Sequence, residues 1–467
     1  MSASGREITT LDFDDFADRD SVWCRRLVNA TFILCFFPSL LYFAFRSETQ
    51  PLAALPALFL LFLRPIKIDR LSVPAMTLLV VLIGYSLYSL VRSSSEAGAI
   101  LLNGGSYAAP VIVFLALYDK LHLVSVRMFR IALWAWFIIG SVQFLHLLPG
   151  PLMGLVEDVG KLLITPRFYM ITPADSVRGV NFFTPEPAYA APMVILLGYT
   201  AVYLRQIGRI TSKQQWGALA ICGAMCVYNL SGTMAFLVLL TGVGAGLWWI
   251  SRRPLKALAV VLLVGVAAFA WLNTVQSEQS AKPDKQVRVM QVVSITADMI
   301  NGNAGLRPMT ALVIIGGQRL IPMLVCYASL LDNDGLGHGI ASWTNTGTMN
   351  HLKDFAGLSQ NDYADYLSFE LWKIVNDNPH SLAAALVVDT GLFGIIPFIA
   401  IIIGAAIRRN DSSSALTVSM LVVAVIWLLV FPPITLAVPW LLIAYSVDLR
   451  CRRRPCAQAQ SGRPLIA

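Results

Sequence analysis

The stretch RGVNFFTPEPAYAAPMVILLGYTAVYL, Arg178 to Leu204, decides how this chain is read. It begins as a polar loop and turns, at Pro187, into a long apolar run. Arg178 and Glu186 bracket Phe182 and Phe183 at the junction. An ionisable side chain at bilayer depth is costly, so a charge kept at that edge points to function. Pro185 and Pro187 fix the backbone on both sides of Glu186 and keep helix from starting before it. The expectation is a carboxylate presented from a stiff turn directly ahead of a membrane-crossing helix.

Composition points the same way for the whole chain. Hydrophobic residues make up 57% of the 467 positions, charged residues only 13%, and the mean hydropathy is +0.67. Soluble domains carry about 25% charged residues, so the reading is an all-α, polytopic membrane protein. The length accommodates about a dozen helices of roughly 20 residues. The net charge of +8 does not imply nucleic acid, because the basic residues fall in short links between apolar runs, as the positive-inside rule expects. The seven cysteines form neither a disulfide framework nor a metal motif. Cys222 and Cys226 share a helix face with no histidine or acid beside them, which is core packing.

Taken in order, residues 1–26 read as a cytoplasmic tail, not as a cleavable signal. Apolar runs follow near 27–45, 51–63, 71–91, 99–118, 131–147, 187–204, 215–230, 233–250, 256–273, 383–406, 415–431 and 434–448, with a basic tail at 449–467. The expected domain is thus a single membrane unit over 27–448, carrying two long periplasmic loops at 149–186 and 274–382. Both termini are expected in the cytoplasm of a bacterium, with the chain in its inner membrane. Of the 35 Lys and Arg residues, 23 then lie inside, and only Arg46 and Arg92 sit in short outside turns. The segment Leu152–Leu163, LMGLVEDVGKLL, has helical spacing of apolar residues and suits a helix on the membrane surface. The run Met309–Leu331 is long enough to cross, but an extra crossing would invert every later basic link. It is read as a helix on or dipping into the outer face, broken at Gly316-Gly317.

Ionisable residues are scarce in the spans and gather in the two long loops, among them Lys161, Arg167, Arg178, Glu186, Lys282, Arg307, Arg319, His338, His351 and His380. That placement fits a catalytic face at the outer boundary better than a through-pathway, which needs acids or bases at mid-membrane. Asp389 and, near a helix end, His146 are the exceptions. Blander readings stand beside the functional ones. Arg178 and Glu186 form a structural ion pair, Arg307 and Arg319 anchor helices at the interface, and His380 caps a helix. His338 between glycines serves a sharp turn, Asp389 is paired inside the bundle, and His351 and His146 are inert.

Four segments, in order, resemble the Wzy-type polysaccharide polymerase and O-antigen ligase superfamily. RGVNFFTPEPAY (Arg178–Tyr189) is similar to its Arg-x-x-Gly-x-Phe-x-Glu-Pro pattern, with Gly179 directly after Arg178 and one extra residue before Glu186. NLSGTMAFLVLL (Asn229–Leu240) resembles its Ser-rich turn opening the next span, without the usual arginine. NAGLRP (Asn303–Pro308) followed by GLGHG (Gly335–Gly339) resembles its Ser-Gly-Arg, helix, Gly-x-Gly arrangement. NPHSLAAALVVDTGLFG (Asn378–Gly394) resembles its Asn-x-His-Asn run ending in Glu-x-Gly-x-x-Gly, with Ser381 and Asp389 substituted.

The resemblance implies an enzyme that joins oligosaccharide repeat units carried on undecaprenyl diphosphate at the periplasmic face, making an exopolysaccharide or O-antigen. It implies no cofactor and no required metal. Its implied partners are the lipid-linked glycan and the bilayer, with a flippase and a chain-length regulator nearby. A departing diphosphate needs charge neutralisation, which arginines supply bidentately; Arg178 and Arg307 are the first candidates and Arg319 the third. The attacking hydroxyl needs a base, for which Glu186, desolvated beside Phe182 and Phe183, and His380 are the candidates. His338 and Asp389 are secondary. The alternatives are a ligase moving finished glycan to a lipid acceptor and, from another class, a lipid-linked oligosaccharide transporter. The latter predicts internal pseudo-symmetry and a charged central cavity, and neither is legible in the sequence.

Overall fold

The computed structural model describes residues 11–40, 51–64, 66–92, 97–145, 150–164, 179–229, 231–252, 320–344, 348, 351, 381–407, 415–430 and 436–452. Among these residues there is helix and no strand. In chain order the helices are α1 (Leu11–Leu34), α2 (Ala54–Leu63), α3 (Ser72–Arg92), α4 (Ala97–Leu117), α5 (Val126–Phe144), α6 (Gly150–Leu163) and α7 (Pro187–Gln206). They continue as α8 (Ser212–Tyr228), α9 (Gly232–Arg252), α10 (Leu320–Ala328), α11 (Leu382–Thr390), α12 (Leu392–Ile407), α13 (Ala415–Val430) and α14 (Val438–Arg452). Helices α3, α4 and α7 are long and apolar enough to cross a membrane, and α2, α12 and α13 are shorter apolar helices. The expected span at 256–273 lies outside the described residues.

Local chemistry sets the helix ends. Asp69 Oδ1 accepts the N–H groups of Leu71 and Ser72 at the start of α3. Ser125 caps α5, and Thr211 with Gln214 closes a capping box on α8. Ser231 and Ser381 accept N–H groups of Met234 and Ala384 at the starts of α9 and α11. Each cap removes an orphan donor that a helix end otherwise leaves bare.

The centre of the bundle is α14, whose residues Val438 to Val447 are all buried. It packs against α4, α7 and α13, and α7 in turn carries α5, α8 and α9. A helix buried all round must satisfy its polar side chains inside; here Tyr445 and Asp448 are met, while the buried Trp440 indole N–H has no partner among the described residues. Tyr445 OH pairs with Thr200 Oγ1 at 3.1 Å, its ring stacks on Tyr203 at 4.4 Å, and Tyr203 OH donates to Asp448 Oδ2 at 2.8 Å. The α9–α13 contact is closer still. A Cβ built on Gly244 would lie 2.5 Å from Ser419 Cα, so only glycine fits there.

The run expected as one span over 383–406 is two helices. Gly391, with φ 58° and ψ −139°, breaks it between α11 and α12. The physical reason is the loop Gly335–Gly339, whose backbone comes so near that a Cβ on Gly391 would lie 2.1 Å from Gly335 O.

Replacing Gly244 with alanine should therefore cost about 1–3 kcal/mol, because backbone cannot yield as a side-chain tip does. Gly242→Ala, with nothing within 4 Å of its Cβ, should be neutral or stabilising. Thermal unfolding of the two purified variants in the same detergent checks the contrast; equal melting temperatures would contradict it.

Candidate functional site

Two clusters of polar contacts lie at one end of the bundle. The Arg209 guanidinium, just past α7, donates to His122 O, just past α4. Tyr118, at the far end of α4, donates to Asp69 at the start of α3 at 2.7 Å. Glu186 at the start of α7 and Ser89 in the last turn of α3 therefore lie toward the opposite end, with Tyr107 midway along α4.

The first cluster holds the turn before α7. Asn181 and Thr184 close it on themselves: Asn181 Nδ2 donates to Thr184 O at 2.8 Å, and Thr184 Oγ1 donates to Asn181 O and Glu186 O, each at 2.7 Å. Phe182 adopts φ 52°, a left-handed conformation that non-glycine residues seldom take. Gln143 holds it there, accepting Phe182 N–H at 2.9 Å and donating to Phe182 O at 3.2 Å. The Phe182 ring lies on Gly140, where a Cβ would stand 2.1 Å from it, and against Trp136 at 5.5 Å. Phe183 packs on Phe37 and Trp136. Both rings are thus committed to α5 and to Phe37, just past α1, and Glu186 is exposed instead of shielded by them. It occupies the N-cap position without a side-chain capping bond, ahead of Pro187, as the two prolines dictate.

Tyr228, Asn229 and Ser231 meet this segment. Asn229 Nδ2 donates to Pro187 O at 2.7 Å, its Oδ1 accepts Ser231 N–H at 3.2 Å, and Val180 N–H donates to Tyr228 O at 3.0 Å. The two stretches resembling the first and second superfamily patterns are neighbours.

The second cluster is built on the break at Gly391. Ending α11 there frees the carbonyls of Val388 and Asp389, and they accept N–H groups of His338 at 2.7 Å and Gly339 at 2.9 Å. Ile340 N–H goes to Ser89 Oγ at 2.8 Å. The N–H of Ala341 turns to the buried Asp389 carboxylate, and Ser342 N–H donates to Gly339 O at 3.1 Å. Tyr107 OH donates to its Oδ2 at 2.8 Å and Ser342 OH to its Oδ1 at 3.1 Å. Four consecutive backbone donors, His338 to Ala341, are thereby directed into the protein. Gly335, Gly337 and Gly339 all have positive φ, and a Cβ on Gly337 would lie 2.6 Å from Gly391 N. Glycine is needed here for turn conformation and for backbone-to-backbone approach, so the loop is a brace, not a phosphate cradle.

Beside the brace, one carboxylate serves two imidazoles. His351 Nε2 hydrogen-bonds Asp332 Oδ2 at 2.8 Å. His338 Nε2 lies 3.1 Å from the same oxygen, near enough to attract but out of line for a hydrogen bond. Burial holds the His338 ring below the usual value of 6.5, against the pull of Asp332, and the charges of His351 and Arg92 push it the same way. Among the described residues no three His, Cys, Asp or Glu side chains are arranged to hold a metal.

Of the residues singled out from the sequence, His338 and Asp389 are brought together through the α11 break, and Glu186 stands apart in the other cluster. Arg178, Arg307, Arg319, His380 and His146 lie outside the described residues. His351, read as inert, is the partner of Asp332. Tyr107, Ser342, Ser89, Gln143 and Asn229 were not anticipated as site residues. The one sequence signal for Tyr107 was a polar group after Gly104-Gly105 in an otherwise apolar run.

Asp389→Ala would strand the Tyr107 and Ser342 hydroxyls and the Ala341 N–H in a buried site and should lower stability by on the order of 3 kcal/mol, with Tyr107→Phe costing less; chemical denaturation in micelles checks the order. Because folding depresses the His338 pKa, the stability tied to its neutral ring is complete above pH 6.5 and is lost as pH falls below it. His338→Gln should flatten that acid-side loss in a melting-temperature profile. No family model, curated protein or solved structure matches this chain, so its chemistry rests on these residues alone.

Proposed function

We propose that this protein is a membrane glycosyltransferase that lengthens an oligosaccharide carried on a lipid diphosphate, as a polymerase of repeat units. One observation carries the reading. The segments resembling the superfamily meet in pairs, Val180–Pro187 against Tyr228–Ser231 and Gly335–Gly339 against Val388–Gly391, and both pairs lie at one end of an all-helical bundle. Segments distant in sequence and joined by direct hydrogen bonds at one boundary are what a site assembled over a lipid headgroup requires.

In this reading the acceptor hydroxyl attacks the anomeric carbon, its proton passes to a base, and the bond to the diphosphate breaks with its electron pair on the leaving oxygen. Glu186, exposed on a stiff turn, and His380, one residue before the Ser381 cap, are the proposed bases. Arg178, Arg307 and Arg319 are proposed to neutralise the diphosphate. Asp389 is given no proton-transfer role, since each of its oxygens already accepts a hydroxyl and the Ala341 N–H is turned to them. The same engagement weighs against a cation-coupled transporter, although a broken span is a feature such carriers share.

The test is extension of an undecaprenyl-diphosphate-linked oligosaccharide by the protein in proteoliposomes, with product length read on gels. Arg178→Ala and Arg307→Ala should each reduce long product on the order of 100-fold, the loss typical of one charge-stabilising group, while remaining inserted. Wild-type product length in both variants would sink the diphosphate assignment. Full activity in Glu186→Gln would leave His380 as the base.

A further inference from the structure

Helix α6 touches three different surroundings. Just past its end, Ile164 packs with Leu40, Val142, Phe183 and the helix's own Val156, and Gly160 is buried on the same side. Asp158 and Lys161, paired at 3.4 Å, project on a second side and are exposed. Leu152, Leu155, Val159 and Leu162 fall on a third. At 3.6 residues per turn they share a strip roughly 80° wide, yet each is 47% to 65% exposed. Protein, charged and apolar sectors lie around the helix about a third of a turn apart.

The face that α6 covers identifies what meets the apolar strip. On α5, Val142 lies in line with Ile131, Trp134 and Ile138, and with Leu145 just beyond the helix. These four are exposed apolar residues at heptad spacing on a helix of a membrane protein, which is a lipid-facing stripe. Ile164, directly after α6, lies on that stripe at Val142, so the end of the α6 segment replaces lipid there and the helix turns its own apolar strip outward. Charged residues confined to a different sector give it the build of an interfacial helix.

We infer that α6 is a lipid-seated wedge: its Leu152–Leu155–Val159–Leu162 strip sits among the hydrocarbon chains of the leaflet at the Phe144 end of α5, and through Phe183 it holds the turn that presents Glu186. The seat keeps Ile164 on Phe183, and Phe183 neighbours Phe182, whose left-handed backbone is held by Gln143 and by its own ring on Gly140. Losing the seat loosens the turn. The inference does not depend on which reaction the protein performs.

Two measurements on the full-length protein in phosphatidylethanolamine–phosphatidylglycerol vesicles test it. p-Benzoylphenylalanine in place of Leu155 or Leu162 should give phospholipid adducts by intact mass after illumination, several-fold above the same probe at Asp158 or Lys161. Adducts to a second copy of the chain, or none, at 155 and 162 would overturn the lipid seat. Hydrogen exchange at Val180–Thr184 should then run several-fold faster in Leu155→Asp/Leu162→Asp than in wild type and remain unchanged in Lys161→Ala. The milder Leu155→Ala/Leu162→Ala pair, which keeps the helix apolar, should show a smaller rise. Wild-type exchange in both double variants would overturn the coupling to the turn.

Discussion

Backbone carbonyls with no partner are the constraint on which this fold depends. In a bundle of apolar helices no water stands ready to serve a helix that stops midway, and each bare carbonyl costs several kcal/mol. The chain stops one anyway, at Gly391. It meets the cost with a loop from more than 40 residues upstream, whose N–H groups at His338 and Gly339 substitute for the missing helical turn. The glycines at 335, 337 and 339 follow from that task, since any side chain at 337 would collide with the backbone it serves. Asp389 completes the join by collecting donors from α4 and the loop, so three separate parts of the chain converge on one carboxylate.

The turn before α7 solves a different problem by related means. There the strained residue is Phe182, and its conformation is held by a glutamine in α5 and by a ring fitted onto a bare glycine. The outcome is a Glu186 whose backbone is fixed from both sides and whose carboxylate is on the surface. Side chains with rigid stems and open heads are suited to meeting something that arrives from outside. Side chains with both oxygens held by donors, such as Asp389, are suited to holding the scaffold.

Much of this was legible in the sequence. Apolar runs of the right length marked the helices, Pro185 and Pro187 marked the start of α7, and the spacing within Leu152–Leu163 marked α6. The turn role of the glycines around His338 was also readable, because closely spaced glycines in a polar loop have few other uses. The break at Gly391 was not. A single glycine in a strongly apolar run reads as a tolerated defect, and what makes it a break is a loop distant in sequence, which no local pattern encodes. Nor was the inward turn of Phe182 and Phe183 readable. Two aromatic residues beside a carboxylate shield it only if their rings point that way, and Trp136 and Gly140, some 45 residues upstream, draw them elsewhere. The pairing of His351 with Asp332 depends likewise on a loop closing back on itself.

The amide of Asn229 has a mechanical implication. One end of it grips the first carbonyl of α7 and the other receives the N–H of Ser231, which in turn caps α9. The mouths of two neighbouring helices are yoked by a single planar group with little torsional give. Any swing that carries Glu186 toward an incoming molecule must drag the top of α9 with it or tear that amide from both its holds. Gating at this boundary would thus proceed as the concerted tilt of a helix pair, since the turn has no freedom to flutter by itself.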